Sequence, residues 1–131
     1  RVVVTSAGVD PSTLPTRSGA FVTRFLPHSA LLDRAAVVIC HGGMGVTQKA
    51  LSKGVPVCVV PWGRDQQEVA ARVQTAGAGV VLPRKALSPE RLAKSVESAL
   101  RCTEGARRVQ EGYRQTGGAV AAADALTSLV R

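Results

Sequence analysis

Apolar residues fall along this chain in short unbroken runs, and amphipathic stretches separate them. Arg1 to Thr5 is a β-branched run that predicts a buried strand ending near Gly8. Asp10 to Gly19 is rich in Pro, Ser and Thr and reads as a loop. Ala20 to Phe25 predicts a second short strand, and Pro27-His28 leads into a helical turn over Ser29 to Arg34. Ala36 to Cys40 is apolar throughout and predicts a third strand, which stops at His41-Gly42-Gly43-Met44-Gly45. A helix is expected from Val46 to Lys53, closed by Gly54 just beyond its last turn. Pro56 to Val60 predicts the next strand, Asp65 to Ala76 a helix broken by Gly77 and Gly79, and Val80 to Leu82 the last strand. Ser88-Pro89-Glu90 opens a further helix with a Ser cap, Pro at the first position and an acid in the first turn. Its apolar face is Leu92, Val96 and Leu100. The tail predicts two helices, Glu104 to Gln115 and Ala119 to Val130, split near Gly117-Gly118.

Strands that are apolar throughout, alternating with helices, point to parallel strands covered on both faces. The expected fold class is α/β, a Rossmann-like open parallel sheet with helices on both faces, in one domain of 131 residues. Composition changes this little. Aromatics reach only 3%, so the core has to be built from Val, Leu and Ala. No apolar run approaches the roughly 20 residues that span a bilayer, and Arg1 to Thr5 lacks the layout of a signal peptide. The expectation is a soluble, cytoplasmic protein. Cys40, Cys58 and Cys102 stand far apart, which argues for a reducing compartment and free thiols, without metal-site spacing. The formal net charge of +8 fits an anionic ligand. Nucleic acid is disfavoured, because the basic residues are scattered and only Phe21, Phe25, Trp62 and Tyr113 offer aromatic rings. The Arg-rich, Ile-poor composition hints at a GC-rich bacterial genome.

Ligands of open parallel sheets bind beyond the carboxyl ends of the strands, and two such ends carry unusual residues. At His41-Gly42-Gly43-Met44-Gly45 the glycines let backbone N–H groups approach an anion, and the helix start adds partial positive charge. A diphosphate suits such a turn, although many glycine turns only make a tight corner. The second end is Pro61-Trp62-Gly63-Arg64-Asp65-Gln66-Gln67. Asp65 and Gln66 together offer acceptors and donors suited to sugar hydroxyls. Taken alone, Asp65 reads more simply as the cap of the helix it precedes.

Order and spacing of Phe25-Leu26-Pro27-His28, His41-Gly42-Gly43, Gly54-Val55-Pro56 and Asp65-Gln66 resemble the donor-binding signature of family 1 glycosyltransferases of the GT-B fold. Both the bacterial antibiotic or macrolide type and the plant natural-product type carry it. The resemblance is close over residues 20 to 82 and holds in outline elsewhere. It implies that Phe25 stands where plant members stack a Trp on the base, and that the backbone near Leu26 and His28 meets the base edge. It implies that His41 contacts the diphosphate and that Gly42, Gly43, Met44, Gly45 and Val46 form the loop and helix start around it. Asp65 and Gln66 match the pair that holds the donor sugar, while Trp62 has no assured role. Two positions depart from the pattern. Val46 replaces a Ser or Thr, losing a hydroxyl bond to phosphate. Lys49 replaces a Glu that accepts bonds from the ribose, and a lysine has three donors and no acceptor.

The resemblance further implies an inverting hexosyl transfer from a nucleoside-diphosphate sugar to an acceptor hydroxyl on a small molecule or lipid, with no cofactor and no metal. UDP and dTDP are the leading donors, with GDP open. It places the catalytic base in an N-terminal domain, so no catalytic residue is assigned here and these residues bind at most. It also sets a strand, a turn and a helix before the segment matching Arg1 to Gly8. Their absence predicts a gap in mid-sheet or two unpaired edges, hence a piece of a larger protein or self-association. Two other readings stand beside it: a nucleotide-binding module that works with a separate partner chain, as in the split eukaryotic N-acetylglucosaminyltransferase, and a degenerate scaffold suggested by Lys49 and Val46.

Overall fold

The computed structural model describes residues 1–130. Five short strands are laid down in chain order: β1 (Val2–Thr5), β2 (Ala20–Thr23), β3 (Val38–Cys40), β4 (Val57–Val59) and β5 (Gly79–Val81). Six helices accompany them: α1 (His28–Leu32), α2 (Met44–Ser52), α3 (Gln66–Thr75), α4 (Pro89–Leu100), α5 (Thr103–Gln115) and α6 (Gly118–Ser128). All strand pairs are parallel; α2 and α3 make the crossovers between β3, β4 and β5, and a loop of 14 residues (6–19) makes the one between β1 and β2. They form two separate sheets, β1-β2 and β3-β4-β5.

The three-stranded sheet holds the core. Val57, Cys58 and Val59 of its central strand are fully buried. Successive side chains of a strand point to opposite faces. Val57 and Val59 join Leu51, Val55, Ala70, Val73 and Ala106 in one cluster, beneath α2, α3 and α5. Cys58 points the other way, where α4 packs on β4 and β5 and buries Ala99. Glycine permits the closest of these approaches. A Cβ on Gly105 would run into the carbonyl of Gly77, so only glycine lets α5 settle against the end of α3. Gly54 closes α2 at φ +70°, in the left-handed conformation expected of it. Ser88 caps α4 by accepting from the Arg91 N–H at 3.3 Å, with Pro89 at the first helical position.

Three expectations need correction. The run at Arg1 to Thr5 is a strand but is not buried, and Val2 is 55% exposed. β1 pairs with β2 alone, and no helix is packed closely on it, so a β-branched run ends with both faces wet. Ile39 of β3 is also exposed, on the strand that forms one edge of the three-stranded sheet. On α4, Leu92 and Val96 are half-buried but Leu100 is exposed, because the helix turns its last inward position over to Ala99. Among the described residues β1 and β3 each keep one unpaired edge.

Candidate functional site

The carboxyl ends of β3 and β4 lie side by side, because these strands are paired in register from Val38↔Val57 to Cys40↔Val59. The Val60 N–H donates to the Cys40 carbonyl at 2.8 Å and carries the ladder past the strand ends. The turn after β3 and the turn after β4 therefore emerge together.

Gly42 joins them. It is buried, at φ +87°, and a Cβ there would lie 2.8 Å from Val59 Cγ1 and 3.2 Å from the Gln66 carbonyl oxygen. The His41-Gly42-Gly43 turn is thus seated directly on the end of β4 and the start of α3. Gly43 meets a different neighbour: a Cβ would stand 2.5 Å from Nε2 of His41, so the imidazole lies over the bare backbone at Gly43. His41 itself is exposed. Gly45 faces open space.

Gly43 caps α2 without a side-chain hydrogen bond, and the first turn holds no acid. The first N–H groups of a helix have no partner within it. Together with the helix dipole they favour an anion, and the exposed imidazole stands beside them. The hydroxyl of Thr47 is unavailable to such an anion. It is buried and donates to the Gly43 carbonyl at 2.9 Å, with Cys40 Sγ 3.8 Å away. It therefore cannot stand in for the hydroxyl missing at the half-buried Val46. Lys49 is exposed, three residues beyond Val46 and four beyond Gly45, hence on the same face of α2. Among the described residues it has no ion-pair partner.

Asp65 occupies the cap position of α3, yet its carboxylate makes no capping bond. The simple capping reading of Asp65 is thereby set aside, and the carboxylate stays exposed. Gln66 is anchored. Its Oε1 accepts from the N–H groups of Trp62 at 2.8 Å and Gly63 at 3.2 Å. Arg64 bends the intervening turn at φ +56°. The Arg84 guanidinium lies 4.0 Å from the centroid of the Trp62 ring, linking the segment after β5 to the turn after β4. Sequence reasoning missed Arg84. The only signal was a cation just past the end of a third parallel strand.

Phe25, Leu26 and His28 lie in the segment that runs from the end of β2 to the first residue of α1. Phe25 is 76% exposed, Leu26 and His28 half-buried. Beneath the site, burial pushes the Cys40 and Cys58 thiols up from their ordinary pKa. All three cysteines are free thiols. Among the described residues no three of His, Cys, Asp and Glu gather as a metal site would require, and no helix is long and apolar enough to cross a membrane.

Residues 2–120 match the family described as erythromycin biosynthesis protein CIII-like, C-terminal domain. 4'-Demethylrebeccamycin synthase of Lentzea aerocolonigenes is 34% identical over 132 residues, covering 98% of this chain and 31% of that protein. A glycosyltransferase of PGL/p-HBAD biosynthesis from Mycobacterium tuberculosis is 40% identical over 99 residues, 73% of this chain and 23% of that protein. The solved calicheamicin glycosyltransferase superposes with a TM-score of 0.89 at 29% identity, covering 96% of this chain and 34% of its own. A glycosyltransferase solved in complex with dTDP gives a TM-score of 0.76 at 29% identity, covering 86% of this chain and 29% of its own. The chain thus spans 23–34% of the length of these relatives. Parallel strands flanked by helices match the C-terminal domain of GT-B glycosyltransferases, the fold class expected from the sequence. This chain belongs to the family of erythromycin biosynthesis protein CIII-like C-terminal domains.

Proposed function

We propose that these residues form the donor side of a glycosyltransferase that moves a sugar from a nucleoside diphosphate to an acceptor hydroxyl. The observation that carries this reading is Gly42, which seats an anion-ready turn against the first residue of α3. The diphosphate is held by His41, by the N–H groups from Gly43 to Val46 and by the helix dipole. The sugar attached to it falls beside Asp65 and Gln66. Phe25, Leu26 and His28 take the base. Lys49 adds a cation on the same face of α2 as Gly45 and Val46, in place of an acceptor for the ribose.

In the reaction the acceptor oxygen attacks the anomeric carbon as the bond to the diphosphate oxygen breaks, with inversion. The acceptor proton passes to a base elsewhere in the protein. The charge that develops on the leaving diphosphate meets His41 and the start of α2, groups already in place before the reaction. The dTDP complex among the relatives favours dTDP, with UDP next. Acceptor recognition belongs to the part of the relatives' length that this chain does not span. The free cysteines support a cytoplasmic location.

The test is turnover by the intact protein with UDP-, dTDP- and GDP-glucose against a panel of phenolic and polyketide alcohols, read by mass spectrometry. One nucleotide sugar should give a product heavier by one sugar residue. His41→Ala should lower that rate by about tenfold to a hundredfold, as loss of a hydrogen bond to a charged group does. Unchanged turnover by His41→Ala would refute the assignment of the diphosphate to this turn.

A further inference from the structure

The Gln66 carboxamide has only one orientation available. Backbone N–H groups can only donate, so the atom that meets both Trp62 N and Gly63 N has to be the oxygen Oε1. The amide nitrogen is left as the free end of the side chain. Gln66 therefore faces a ligand as a hydrogen-bond donor, and the uncapped Asp65 carboxylate beside it is an acceptor. What fixes this polarity is the turn from Pro61 to Arg64, and that turn is held from outside. Trp62 is 55% exposed, and its ring is covered by the Arg84 guanidinium from the segment after β5. Arg64, in the left-handed region, makes the turn one that does not keep its shape by local preference alone.

We propose that the Trp62–Arg84 stack is a positioning clamp: it holds the turn after β4 so that Gln66 presents its amide nitrogen to the donor sugar. The proposal rests on the donor-site reading above. It assigns the clamp no contact with the nucleotide, because it acts through Gln66. A sugar hydroxyl placed there accepts from Gln66 and donates to Asp65. Releasing the clamp frees the carboxamide to rotate and removes the preference for that pairing. The exposed cation–aromatic contact is itself weak. Its effect is geometric, and it falls on the sugar alone.

The experiment compares, in the intact protein, the dissociation constants of dTDP-glucose and UDP-glucose with those of dTDP and UDP. Arg84→Ala should weaken the nucleotide sugar roughly fivefold, about the size of one net hydrogen bond. The bare diphosphate should change less than twofold. Gln66→Ala should do the same. The double variant Arg84→Ala/Gln66→Ala should lose little more than either single one, because both remove one interaction. Trp62→Phe, which keeps a ring face for the guanidinium, should retain most of the discrimination. Equal weakening of diphosphate and nucleotide sugar overturns the clamp. So do multiplying losses in the double variant, or an Arg84→Ala protein indistinguishable from wild type. If the wild-type protein binds none of the four probes, the donor-site reading fails first and the clamp falls with it.

Discussion

Replacing Gly42 by alanine tests the joint on which the site depends. Two costs can be worked out from the structure. An L-residue at φ +87° stands in the left-handed region, at about 1–2 kcal/mol. The new Cβ also meets Val59 Cγ1 at 2.8 Å and the Gln66 carbonyl at 3.2 Å. Val59 is fully buried in the central strand and cannot swing away, so this overpacking adds about 1–3 kcal/mol. The sum is about 2–5 kcal/mol, a large share of the roughly 5–15 kcal/mol that stabilises an ordinary domain. With a urea dependence of about 2 kcal/mol per molar, the unfolding midpoint should fall by about 1–2.5 M. Gly45→Ala is the matched control. It lies in α2 with nothing within 4 Å of the added carbon, so a gain of up to about 1 kcal/mol is expected. Urea unfolding of both variants, followed by far-ultraviolet circular dichroism, decides the matter. A loss under about 1 kcal/mol for Gly42→Ala would mean that the turn is not seated on β4 and α3 as described.

Two further outcomes follow from single elements. Ser88→Ala removes the cap of α4, whose bond to the Arg91 N–H is long at 3.3 Å, so a loss of about 0.5–1 kcal/mol is expected. Equal urea midpoints for Ser88→Ala and wild type would discount the cap. Burial raises the Cys40 and Cys58 pKa values, so the folded protein holds those protons more tightly than the unfolded chain. The corresponding stability is fully present below the ordinary thiol value, about 8.5, and is lost as pH rises through and above it. Native Cys58 should therefore resist thiol reagents near pH 8 until urea is added. Immediate labelling of Cys58 in the native protein contradicts its burial.

Most of the element order was legible because local rules agree with the fold. Apolar runs mark β3, β4 and β5, Gly54 marks the end of α2, and Ser88-Pro89 marks the start of α4. The start of α2 was placed two residues late, since Gly43 caps the helix with its backbone alone and leaves no side-chain signal. Burial of β1 was not legible, because burial belongs to what packs on a strand rather than to the strand itself. For the site, the glycine turn and the Asp65-Gln66 pair were both visible as motifs. Their contact through Gly42 was not, because it depends on the register of β3 with β4. Neither the inward turn of the Thr47 hydroxyl nor the Arg84–Trp62 stack could be read from spacing. Both arise from where separate loops meet.

The most direct measurement is a calorimetric titration of UDP, dTDP and GDP into the intact protein, repeated on His41→Ala. On the donor-site reading one nucleotide binds, and His41→Ala weakens it by about 1.5 kcal/mol or more, the size of a lost hydrogen bond to a charged group. A folded protein that binds none of the three, or binds one equally well without His41, would contradict it.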